Sequence, residues 1–93
     1  MITDLTAWIQ VCAEGVIVDN WKQGRRLYLR QIWHELDPEG IGDPDIGTLR
    51  KELEGLVSQG SLNKNPTRIV DKRGKARRVV YYEPTLRLIE SFD

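Results

Sequence analysis

One cysteine, Cys12, and one histidine, His34, occur among the 93 residues of this chain. A single cysteine excludes a disulfide within the chain and points to a reducing compartment. One histidine with no cysteine nearby makes no zinc site. The same scarcity leaves no nucleophile–base pair to assemble, so catalysis is not expected. Long apolar runs are missing as well. Val16-Ile17-Val18 is among the longest, far below the roughly 20 residues that a membrane-spanning helix needs. No basic stretch leads into an apolar run at the N-terminus, so no signal peptide is expected and the expected location is cytoplasmic. Net charge is absent too, because fourteen Lys/Arg balance fourteen Asp/Glu.

What is present is globular composition. Hydrophobic residues make up 40% and charged residues 30%, which favours a packed domain over a disordered chain. The length fits a single domain over 1–93 with a thin core, to which three tryptophans bring large apolar area. The zero balance conceals a polarised chain. Residues 1–47 carry four Lys/Arg against eight Asp/Glu, and residues 48–93 carry ten against six. Residues 61–82 hold seven basic residues and one acid, Asp71. A compact cationic end of this kind is the footprint of a polyanionic partner.

Periodicity orders the rest. Leu5, Trp8, Ile9, Cys12 and Val16 share one helical face, which predicts a helix over 3–14 with Thr3 or Asp4 as cap and Gly15 as a stop or weak point. Residues 16–18 either extend that helix or form a short extended piece, and 19–24 read as a polar loop anchored by Trp21. A very short strand at 26–28 precedes a second helix, whose face is Leu29, Ile32, Trp33 and Leu36. Asp37-Pro38 ends it. The stretch DPEGIGDPD (37–45) reads as a turn anchored by Ile41. A third helix follows, capped by Asp45 or Thr48, with a buried stripe of Leu49, Leu53, Leu56 and Val57 and a closing Gly60. Residues 62–82 read as two strands and a tight connection. Of these, 68–70 and 79–82 are β-branched and aromatic, and DKRGKARR lies between them with Gly74 available for positive φ. Pro66 either confines its strand to an edge or marks an irregular start. A short C-terminal helix is expected over 85–92, with Pro84 opening it and Leu86, Ile89 and Phe92 packing down.

The order helix, short strand, helix, helix, hairpin, helix resembles the winged helix-turn-helix family. Three blocks carry the likeness: LYLRQIWHEL (27–36), DIGTLRKELEGLVSQGSL (45–62) and RIVDKRGKARRVVYYEPT (68–85). The resemblance covers about residues 26–85. It implies an α+β, mainly α, domain with a three-helix core, a β-hairpin wing and a short C-terminal helix. Trp33 stands where the family more often has a small residue, and the 37–45 turn is longer than the family's. The indole is expected to push the second and third helices apart or to bury against the first.

The resemblance also implies double-stranded DNA as partner and a small transcriptional regulator as the role. The third helix, about 46–59, would enter the major groove, where Arg50 can pair with a guanine and Thr48 or Lys51 can hold phosphates. The wing carries Arg68, Lys72, Arg73, Lys75, Arg77 and Arg78, a cluster suited to phosphates, with Arg73 beside Gly74 placed to enter a minor groove. A plainer reading makes these residues a solvated edge guarded against aggregation. Glu52 and Glu54 oppose phosphates on the third helix, and Arg50–Glu54 has the spacing of an i,i+4 ion pair. Arg25 and Arg26 either touch backbone or stay solvated.

A homodimer through Trp8 and Phe92 would match a two-fold site. The alternative is a winged-helix protein–protein interaction module without DNA binding, which the acidic front half favours. His34 is expected at the surface and Cys12 in the core. The acidic turn Asp37, Glu39, Asp43, Asp45 lacks calcium-loop spacing, and GIGDPDIG lacks the lysine of a phosphate-cradling loop. No metal and no cofactor are expected.

Overall fold

The computed structural model describes residues 4–37, 40 and 45–92, with side chains from Ala7 onward. Their elements are α1 (Asp4–Lys22), β1 (Leu27–Tyr28), α2 (Leu29–Leu36), α3 (Ile46–Ser58), β2 (Leu62–Val70), β3 (Ala76–Pro84) and α4 (Leu86–Ser91). The chain is a small α+β domain of four helices and one antiparallel sheet, in the strand order β1-β3-β2. None of these helices is long and apolar enough to cross a membrane.

The first helix corrects the sequence reading. It runs through Gly15, extends over residues 16–18 and goes on to Lys22, so residues 19–22 are helix where a loop is expected, and 23–24 form a turn. Its terminator is Gly24, at φ +79°. There the Arg25 amide donates to the Asn20 carbonyl at 2.8 Å, closing the last turn. Gly60, at φ +82°, closes α3 in the same way, with Ser61 N–H on Leu56 O. Lengthening the helix also moves its buried face. Ile9, Ala13 and Ile17, spaced four apart, form the centre line. Cys12 is half-buried, and Trp8 is 53% exposed. A stripe that stops at Val16 omits Ile17 and Val18, the two residues that fix the true orientation. Trp21 is exposed rather than an anchor. The expected cap at Thr3, the packing of Leu5 and the turn residues 38–39 and 41–44, with Ile41, lie outside the described residues.

The other helices follow their apolar periods. In α2, Ile32 is fully buried, while Leu29, Trp33 and Leu36 pack partly against the same core. In α3, Leu49, Leu53 and Leu56 are buried, and Asp45 caps the first turn by accepting from the Thr48 amide. These stripes meet α1, Leu62, Tyr82 and Leu88 in one cluster. Pro84 closes β3 instead of opening a helix, and Thr85 is the N-cap of α4, its side chain accepting from Leu88 N–H. Within α4 the buried residue is Leu88, whereas Leu86 is exposed.

The sheet is wide only at its base. β1 meets β3 at two rungs, Leu27↔Tyr82 and Tyr28↔Tyr81. β2 and β3 pair over nine rungs, from Leu62↔Pro84 to Val70↔Ala76, which fills the 62–82 span expected for the hairpin and runs two residues past it. Beyond Tyr81 the sheet is therefore a two-stranded ribbon. Pro66 lies on the edge strand, as a residue without an amide proton should. Residues 70–78 of the ribbon are all exposed, and the molecule extends 49 Å along its long axis.

Candidate functional site

The ribbon ends in a turn built by its single acid. Asp71 Oδ1 accepts from the Arg73 and Lys75 amides, both at 2.9 Å, and Gly74 N–H donates to Asp71 O at φ +80°. Asp71 is thus engaged with the backbone and not with the neighbouring cations. Arg68, Lys72, Arg73, Lys75, Arg77 and Arg78 are all exposed, and among the described residues none of them is held in an ion pair. Arg68 and Arg78 are Cα partners across the ribbon, so they share one face. Like charges placed opposite one another destabilise a strand pair. An anion between them would relieve that repulsion.

A groove of about 370 Å³ lies between this ribbon, α3 and the start of α2. Among the described residues its basic lining is Arg30, Arg50, Lys64, Arg77 and Arg78, and its one acid is Glu54. Thr48, Arg50 and Lys51 are exposed near the start of α3 and border an adjoining shallow depression. Arg50 and Glu54 line both. The residues expected on the third helix and those expected on the hairpin are therefore brought to neighbouring surfaces. Lys72, Arg73 and Lys75 stand apart at the tip. Sequence reasoning missed Arg30 and Lys64. Arg30 flanks the apolar stripe of α2, and Lys64 sits on a strand longer than its β-branched segment.

The two α3 glutamates have structural partners. Glu52 accepts from Gln10 of α1 at 3.0 Å. Glu54 pairs with Lys64 at 2.9 Å, not with Arg50 at the i,i+4 spacing of the plainer alternative, and accepts from the Tyr82 hydroxyl at 2.9 Å. The Lys64 and Tyr82 bonds, with the nearby charge of Arg50, hold the Glu54 carboxyl below its ordinary range. Burial, reinforced by the bond to Glu54, pushes the Tyr82 phenol up to about 12.

Arg26 is occupied at the sheet base, 4.6 Å over the Tyr81 ring and 3.4 Å from Glu83. His34 is exposed beside Trp33, their rings 5.3 Å apart. Among the described residues no cluster of His, Cys, Asp and Glu has a metal-holding arrangement. No protein-family model, curated protein or solved structure matches the chain.

Proposed function

We propose that this chain is a winged helix that binds double-stranded DNA, with α3 in the major groove and the ribbon on the adjoining backbone or minor groove. The observation that carries the reading is the exposed cation set of residues 68–78, without ion pairs among the described residues, beside a groove whose one acid among those residues is already bonded twice. The order of elements supports the same reading. Phosphates would gather on Arg68, Arg77 and Arg78, the tip would carry Lys72, Arg73 and Lys75, and Arg50 would read a base. Glu54 is paired with Lys64 and bonded by Tyr82, so it does not confront phosphate as a bare charge. A role in transcriptional control belongs to this reading, as does a homodimer through the exposed Trp8 and Phe92.

Selection from random-sequence duplexes followed by footprinting tests it. Enrichment of a defined site, with protection spanning a major groove and its flank, is the expected result. Failure to enrich any sequence would remove base reading by α3. The second reading, a protein-interaction winged helix, draws on Trp8 and Val11, which are 53% and 60% exposed on α1. A monomer that shifts no duplex at low salt would favour it.

A further inference from the structure

The bonds of Glu54 span more than one strand. Lys64 on β2 and Tyr82 on β3 are Cα partners on one rung, and Glu54 on α3 accepts from both, one carboxylate oxygen each. The same rung includes Leu27 of β1 and so lies within the short three-stranded base of the sheet. One residue further along β3, at Tyr81, β1 makes its last pairing, and the ribbon continues on two strands alone. Tyr82 is itself fixed in the core, only 5% exposed. Glu54 therefore joins the third helix to the sheet beside the place where the ribbon loses its lateral support.

We propose that Glu54 is a positioning residue that sets the angle between α3 and the basic ribbon, so that Arg50 and the Arg68–Arg78 face can engage one DNA duplex together. This rests on the DNA-binding reading. The lever is long. Six residues separate the Lys64↔Tyr82 rung from the Val70↔Ala76 rung, about 20 Å at strand rise. A rotation of roughly 10° at the base would carry the tip roughly 3 to 4 Å over that length, enough to lose register with a phosphate while α3 stays seated. An acid in a cationic groove is otherwise a disadvantage for binding a polyanion. Its double engagement gives it a use that repulsion alone does not.

The test compares E54A, E54Q and Y82F with the unaltered protein, after circular dichroism confirms that each is folded. Spin labels on S58C and K72C, in a C12S background, report the distance between α3 and the ribbon tip. A broadened distance distribution in E54A is expected, with E54Q closer to the parent because an amide oxygen still accepts from Tyr82. Affinity for the selected site should fall about tenfold or more in E54A, roughly the worth of one base contact. Affinity for random duplex should hold or rise, since a negative charge has gone. If Glu54 only repels phosphate, both affinities rise together and the distances stay unchanged, which overturns the proposal. Should E54A not fold, Y82F removes one of the two bonds and is read by the same distances. Should the unaltered protein bind no duplex, the functional reading fails, and the distance measurement still decides whether Glu54 sets the angle.

Discussion

Helix α3 and the β2–β3 ribbon both present cations, but they are held in opposite ways. On α3 the charged face is backed by Leu49, Leu53 and Leu56, all fully buried, and its acids are tied to α1 and to the sheet. Past Tyr81 the ribbon loses its third strand, and past the buried Val79 it rests on its own ladder and on a five-residue turn organised by Asp71. Its six basic side chains are exposed and without ion pairs among the described residues. Positional accuracy thus belongs to the helix, and charge belongs to the ribbon. Under the proposed DNA-binding function, α3 as reader and the ribbon as electrostatic arm are separable by mutation, because burial dominates stability while exposed charge dominates attraction to a polyanion.

Truncation inside α3 should have the largest effect. Leu53→Ala opens a cavity at a fully buried site and is expected to cost about 2–5 kcal/mol, read as a lower urea midpoint. Arg73→Ala, at an exposed turn, should leave stability within about 0.5 kcal/mol. Equal losses at the two positions would break the distinction.

The reverse ranking is expected for binding. Arg73→Ala with Arg77→Ala should weaken affinity for every duplex alike and flatten the log–log salt slope by about 2, measured by fluorescence anisotropy. Loss confined to one sequence would assign these two residues to base reading.

Next comes the junction between the two regions. The Tyr82 phenol is raised from 10.0 to about 12 in the folded chain. A raised folded value means that its stabilisation is complete below pH 10 and is lost as pH climbs toward about 12. Denaturant midpoints should fall across that window, and Tyr82→Phe should lack this component. Glu54 is shifted the other way, so its smaller contribution is present above the ordinary carboxylate range and is lost as pH falls through its depressed value.

The smallest effect is expected at the ribbon tip. Asp71→Ala removes the acceptor for two backbone amides and should cost about 1 kcal/mol. Faster exchange of the Arg73 and Lys75 amides would report it, with amides of α3 unchanged.

Much of this contrast was readable from residue order. The stripes of α2 and α3, the Asp45 cap and the Gly60 terminator follow from local rules of period and capping, and the structure bears them out. The α1 face was misread because Gly15 looks like a stop, while the residues that orient the helix, Ile17 and Val18, come after it. Pro84 was misplaced because a proline that ends a strand and one that opens a helix look alike before pairing is known. The cationic hairpin stood out by composition. The environment of Glu54 did not, because it depends on Lys64 and Tyr82, 10 and 28 positions away along the chain. Arg30 likewise reaches the groove only through the packing of α2 beside the ribbon.

The most direct measurement is the affinity of the purified protein for a random-sequence duplex across a salt series. Neutralisation of some five or six phosphates predicts a straight log–log plot with a slope of about −4 to −6. A flat response, or no binding at low salt, would contradict the electrostatic role assigned to the ribbon.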